Sequence, residues 1–399
     1  MKSGLLFKQA ALQSAMTDAM RLMRSGNLME ATAAIQNNLQ GFGTQASGAS
    51  VGEASNDAAI EGRFERVHPE APIVTHPSAP GVPERASADA TPTETINRAG
   101  TRGRFLALTF SNHAGTREYK LYVPDSYCGE PLPLLIMLHG CTQTPDDFAA
   151  GTRMNTLAEE QHWLVAYPAQ PSSANGSKCW NWFTTEGQRR GRGEPSLIAG
   201  ITAQVMKDYA VDSRRVYVAG LSSGGAMAAI MGATYPDLYA AVGVHSGLAY
   251  GAAHDLPSAL AAMKHGSPGL VATPARDSLG ESGNNISLII FHGDRDSTVH
   301  ARNGEQLTAQ WKASHSGRER GDSEVGWQTT EELGRVPNGH AYTRRIVRSD
   351  AQRAVLEQWS IHGAGHAWSG GSPQGTYTNP KGPDAAREML RFFSENPKS

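Results

Sequence analysis

The chain of 399 residues is poor in cysteine, in charge imbalance and in long apolar runs. Its cysteines are Cys128, Cys141 and Cys179, too few for a disulfide scaffold and without metal-ligand spacing. Its formal net charge is −2, and no basic stripe or Lys/Arg block stands out, which argues against a nucleic-acid binder. No apolar run approaches the length of a membrane span, so no transmembrane segment is expected. Neither an HExxH pair nor a phosphate loop occurs, so no metal or organic cofactor is expected. The apolar start of the chain is broken at Lys8 and Gln9, too early for a secretion signal. The expected location is therefore cytoplasmic, with export by a non-Sec route as the alternative.

Three regions separate by composition. Residues 1–40 read as a helical hairpin. Leu12, Met16, Met20 and Met23 share one helical face, a Ser25-Gly26-Asn27 break follows, and Leu28, Ala31, Ile35 and Leu39 renew the stripe. Such a hairpin is either a packing element or a contact for a protein or a polymer granule. Residues 41–100 are rich in Ala, Gly, Ser, Thr and Pro and have no sustained periodicity, the pattern of a flexible linker. Residues 101–399 read as the globular body.

In the body, strand-like runs fall at 105–110, 118–123, 134–138, 164–167, 216–219, 241–244, 288–291 and 355–360. Helical patterns fall at 154–161, 197–209, 225–234, 304–312 and 384–394. The first two strands suit an antiparallel hairpin. The later alternation of strand and helix, with strands apolar throughout, predicts an α/β fold with a mostly parallel sheet covered on both faces.

The most informative motif is Gly-Leu-Ser-Ser-Gly-Gly at 220–225. It follows an apolar strand and opens a helix of small residues, the setting of a nucleophile elbow, where a tight turn lifts a serine hydroxyl clear of the backbone. Ser222 is the candidate nucleophile. A serine needs a base, and the base needs an orienting acid. Asp294 and Asp296 both lie just beyond a strand end, and Asp296, deeper in the loop, is preferred as the acid. His366, in a loop bearing Gly363, Gly365, Gly370 and Gly371, is preferred over His362 as the base. The oxyanion requires two preorganised N–H groups. Ser223, next after the nucleophile, supplies one, and Cys141, in the His139-Gly140-Cys141 turn after an early strand, supplies the other.

With these pieces in place, residues 121–393 resemble the polyhydroxybutyrate (PHB) depolymerase family of esterases. The resemblance is carried by LPLLIMLHGCTQTPDDFA at 132–149, MNTLAEEQHWLVAYPAQ at 154–170, NGSKCWNWF at 175–183, the elbow region 216–247, IIFHGDRDSTVHARNGEQL at 289–307 and GAGHAWSGG at 363–371. It implies an α/β-hydrolase fold, with Ser222, Asp296 and His366 as catalytic triad and Cys141 as an oxyanion donor. It implies hydrolysis of carboxylic esters through an acyl-enzyme, the substrate being a short-chain poly(3-hydroxyalkanoate) polymer or oligomer. Relatives of similar fold act on feruloyl and acetylxylan-type esters, the alternative substrate class. Cys141 and Cys179 both lie in family-like motifs, and either pair as a disulfide stapling the oxyanion loop or remain buried thiols. For an uncharged polyester, Trp180, Trp182 and Trp368 are the expected substrate walls, and Asn181 either anchors its loop or positions substrate. Residues 252–285 are expected to form a small flap rather than a full lid.

Overall fold

A computed structural model describes residues 103–268, 286–315, 327–349 and 351–398. The expected hairpin at 1–40 and linker at 41–100 lie outside the described residues, as does the 269–285 part of the expected flap. Contacts divide the chain into two units, 1–91 and 92–399.

In chain order the second unit contains β1 (Arg104–Asn112), β2 (Gly115–Val123), β3 (Leu132–Leu138), α1 (Pro145–Thr152), α2 (Met154–Gln161), β4 (Leu164–Pro168), α3 (Gly193–Asp208), β5 (Val211–Leu221), α4 (Ser223–Thr234), β6 (Ala241–His245), α5 (Leu256–His265) and β7 (Ser287–Gly293). It continues with α6 (Arg302–His315), β8 (Gln328–Arg335), β9 (Ala341–Arg348), β10 (Ala354–Ile361), the short strands β11 (Trp368–Ser369) and β12 (Thr378–Asn379), and α7 (Ala385–Glu395). All eight expected strands and all five expected helices are present.

Ten strands form one sheet in the order β1-β2-β4-β3-β5-β6-β7-β10-β9-β8. The block β4-β3-β5-β6-β7-β10 is parallel, and antiparallel strands flank it on both sides. This is the α/β-hydrolase arrangement. The central strands β3, β6 and β7 are buried along their whole length, as strands covered on both faces must be. Buried side chains accordingly divide into two clusters, one per face.

The helices follow from their sequences. α4 is made of small and apolar residues and is buried nearly all round, on the same face of the sheet as Val218, Val242 and Val244. α7 is one-sided: Ala385, Ala386, Met389, Leu390, Phe392 and Phe393 face inward, and Phe393 stacks on Tyr217 at 4.9 Å between ring centroids. Each such phenylalanine contributes roughly 1.5–3 kcal/mol by burial.

One charge cluster ties α7 to the sheet. Glu357 on β10 is completely buried and takes Arg344 at 2.7 Å, Arg391 at 2.7 Å and the Trp359 indole at 3.1 Å. Removing it takes away the one buried carboxylate of the cluster and leaves Arg344 with Glu332, and Arg391 with Glu388 and Glu395, nearer the surface, so Glu357→Ala is expected to cost about 3 kcal/mol. Glu331→Ala, which breaks the exposed pair with Arg345, should cost less than about 1 kcal/mol. Urea unfolding midpoints of the two variants provide the check.

The parallel registers align the strand ends that matter. Leu138 sits opposite Gly220, Leu221 opposite His245, His245 opposite Phe291, and Ile361 opposite Gly293. The loops after β3, β5, β7 and β10 therefore leave the same edge of the sheet, where open α/β sheets build their sites.

Candidate active site

The turn from β5 into α4 is as tight as its sequence implies. Ser222 is the N-cap of α4 with φ 58° and ψ −120°, a conformation a non-glycine residue rarely holds. Its neighbours leave no room for side chains. A Cβ on Gly220 would meet the Gly224 carbonyl at 2.3 Å, and one on Gly224 would meet the Leu138 carbonyl at 2.1 Å. The Ser222 N–H donates to the His245 carbonyl at 2.9 Å, fixing the turn to β6.

The loop after β7 carries both aspartates, and the loop after β10 carries both histidines. They pair one to one. Asp296, its side chain wholly buried, accepts from His366 Nδ1 at 2.7 Å. Its other oxygen accepts from the N–H groups of Thr298 and Val299 at 2.9 and 2.8 Å. Burial pushes this carboxyl upward. The His366 bond, the His366 ring and the Val299 amide outweigh burial and hold it below the usual range. An ionised Asp296 keeps the proton of His366 on Nδ1 and leaves Nε2 with a free lone pair, the state a general base needs. Asp294, by contrast, is about 42% exposed and accepts from His362 Nδ1 at 3.0 Å and from the Gly363 N–H at 2.7 Å. It clamps the two loops together from outside.

Two more histidines lie beneath. His245 is stacked between Phe291 and Trp368, at 5.9 and 5.2 Å between centroids. Its Nε2 accepts from the Ser369 N–H at 3.0 Å, and burial, with the nearby His292 and His366 rings, lowers its pKa to about 3. His292 is likewise held neutral by burial, donating Nε2–H to the Val299 carbonyl at 2.8 Å. Both rings support the site as uncharged packing groups.

Cys141 and Ser223 present N–H groups that no acceptor takes among the described residues, as the first turn of a helix and an open loop allow. The Cys141 loop is fastened at several points. Cys141 is disulfide-bonded to Cys179, so the two residues are a staple and not buried thiols. Thr142 N–H donates to the Ser177 carbonyl at 2.7 Å, and Gly140 N–H to Gln143 Oε1 at 2.9 Å. Cys141 Sγ lies 3.4 Å from Ser223 Oγ, so the two candidate donors are neighbours.

The expected substrate walls need correction. Trp180 is 0% exposed and Trp368 1%, and Trp182 is also buried. Trp180 donates its indole N–H to the His139 carbonyl at 3.0 Å, and Trp368 packs edge-on against Phe148 at 5.4 Å. These rings fill the space under the loops instead of facing a substrate. Asn181 proves to be an anchor. Its backbone and side-chain N–H groups donate to Glu194 at 2.8 and 2.7 Å, and its Oδ1 accepts from Asn175 at 3.0 Å.

Glu194, Gln170 and Gln143 support the site without any mark in the sequence. Burial raises the Glu194 carboxyl despite the bonds from Asn181 and Gln170. Gln170 joins that carboxylate to the Cys179 carbonyl at 2.9 Å and, through its own N–H, to His139 Nε2 at 3.1 Å. A glutamate in the first turn of a helix resembles an ordinary dipole-matching residue, so nothing local distinguishes Glu194. Gln143 and Gln170 lie within the family-like segments 132–149 and 154–170, the one signal that could have found them.

A family model described as esterase PHB depolymerase matches residues 117–328. Poly(3-hydroxyalkanoate) depolymerase C of Paucimonas lemoignei is 30% identical over 264 residues, 64% of this chain. The match spans only 60% of that protein's length. Feruloyl esterase B of Neurospora crassa is 32% identical over 297 residues, 71% of this chain and 89% of its own. Among solved structures, an acetyl xylan esterase from Aspergillus awamori superposes with a TM-score of 0.53 at 24% identity, covering 70% of this chain and 94% of that one, a likeness of fold.

Proposed function

Because the chain belongs to the esterase PHB depolymerase family, we propose that it hydrolyses carboxylic esters with Ser222 as nucleophile, His366 as base and Asp296 as the orienting acid. The observation that carries this reading is the 2.7 Å bond between His366 Nδ1 and buried Asp296, on the same sheet edge as the strained Ser222 turn. Ser222 Oγ attacks the ester carbonyl carbon while His366 Nε2 takes its proton. The carbonyl π-electrons move to oxygen, and the Ser223 and Cys141 N–H groups hold the oxyanion. The tetrahedral adduct collapses, and the alcohol leaves with the proton from His366. Water, deprotonated by the same Nε2, then releases the acid and restores Ser222. The supporting bonds from Gln143, Gln170 and Cys179 keep the Cys141 amide aimed before substrate arrives, which is where such a site gains its rate.

The proposed substrate is a short-chain 3-hydroxyalkanoate polymer or oligomer, in keeping with the depolymerase relative. A feruloyl-type ester is the second reading, favoured by the greater coverage of the feruloyl esterase. Purified protein tested on PHB film, 3-hydroxybutyrate trimer methyl ester, methyl ferulate and acetylated xylan distinguishes them. The first reading expects the trimer to show the highest kcat/KM. A panel led by methyl ferulate would replace it with the second. The Cys141–Cys179 bond supports an oxidising compartment over the cytoplasmic expectation.

A further inference from the structure

Three large apolar side chains stand exposed among the described residues: Trp327, Leu333 and Tyr377. Trp327 packs against Trp311, and Leu333 lies on the outermost strand β8. Of the three, Tyr377 is bonded to the loop that carries Cys141. Its phenol oxygen lies 3.2 Å from Thr142 Oγ1, and that hydroxyl in turn donates to the Cys141 carbonyl at 2.6 Å.

The backbone of Tyr377 is held in a costly form. Its φ is 51°, in the left-handed region that a bulky residue avoids. Bonds on both sides impose it. Thr376 N–H and hydroxyl donate to Asp147 at 2.9 and 2.6 Å, and Gln143 Nε2 donates to the Thr376 carbonyl at 3.1 Å. The Tyr377 carbonyl accepts from Trp368 N–H at 2.6 Å, and the next residues, Thr378 and Asn379, pair with β11 two residues beyond His366. A glycine would meet these constraints without strain of roughly 1–3 kcal/mol. The chain instead places there an aromatic ring that is 47% exposed, its hydroxyl on the proposed oxyanion loop and its backbone bonded two residues beyond the proposed base.

We infer that Tyr377 is a specificity-determining residue whose exposed ring contacts the non-reacting part of the ester chain, the role the sequence assigns to Trp180 and Trp368. The inference rests on the proposed ester hydrolysis. Tyrosine suits this role with a broad apolar face, few rotors to immobilise, and a hydroxyl anchored to Thr142.

The test compares kcat and KM of the wild type, Tyr377→Ala, Tyr377→Phe and Tyr377→Gly. The substrates are p-nitrophenyl acetate, 3-hydroxybutyrate trimer methyl ester and methyl ferulate. For whichever long ester the wild type cleaves, Tyr377→Ala is expected to lower kcat/KM relative to the acetate about tenfold, through KM. Tyr377→Phe should hold that ratio within about twofold, because the ring remains. Tyr377→Gly should show the same loss of selectivity as Tyr377→Ala without a lower melting temperature, since glycine fits φ 51°. An equal fall in kcat on short and long esters would mean that Tyr377 only props the Cys141 loop, and the inference would be overturned. An unchanged ratio would overturn it as well. A wild type that cleaves none of the three esters would bring down the hydrolase reading itself, and this inference with it.

Discussion

Ser222→Ala is expected to lower kcat on p-nitrophenyl butyrate by about 10⁴-fold or more, to the level that binding and the two amide donors support without a nucleophile. Labelling by a fluorophosphonate probe should vanish in parallel. The magnitude follows from the division of labour at the site. In the proposed mechanism Ser222 and His366 act as a unit, so losing the hydroxyl removes the benefit of the imidazole and of Asp296 together. Near-normal turnover in the alanine variant would refute the assignment of the nucleophile.

The same position links activity to stability with opposite signs. Ser222 presents its hydroxyl at the expense of a left-handed backbone, and alanine inherits that strain. Glycine does not. Ser222→Gly should therefore be as inactive as Ser222→Ala and yet more stable than it, by about 1 kcal/mol. A fold damaged by the substitution could not produce that combination.

How far the site is legible in the chain depends on whether a residue's role is local. The elbow is local: Gly220 and Gly224 are needed because backbone atoms of the turn and of β3 occupy the space their side chains would take. The proposed acid and base are legible as strand-end residues, since a parallel sheet delivers successive strand ends to one edge. Strands β8 and β9 are not legible, because no apolar run marks them. β8 is exposed along nearly its whole length, and its Glu331 and Glu332 meet Arg345 and Arg344 of β9 across the pair. The tryptophans mislead for a different reason. Their size suits a wall, but an indole N–H is also a good tether for a buried carbonyl, and Trp180 is used that way. Tyr377 carries no sequence signal, because its exposure arises from bonds made by Asp147 and Gln143, far away in the chain.

Asp296→Asn is expected to lower kcat by about 10³–10⁴-fold, and Asp294→Asn by less than about tenfold, although the two residues sit two positions apart and each faces a histidine. The contrast comes from what each carboxylate does to its ring. In the Asp296→Asn variant, the amide oxygen is the better acceptor for the Thr298 and Val299 N–H groups, which turns the NH₂ toward His366. His366 Nδ1 must then accept, its proton moves to Nε2, and no lone pair is left to take the proton of the proposed nucleophile. Asp294→Asn keeps an acceptor for the Gly363 N–H, and its histidine is not the proposed base, so only the loop clamp weakens. A pH series separates the effects further. The Asp296 carboxyl lies below its ordinary range in the folded protein, although burial opposes this. It therefore adds stability that is complete above the ordinary carboxylate pKa and fades as pH falls through the lowered value. Asp296→Asn should flatten that acid limb of the stability curve at its low end while kcat stays far below wild type near neutral pH. A larger loss of kcat at Asp294 than at Asp296 would exchange the roles of the two residues, with His362 then the base to be tested.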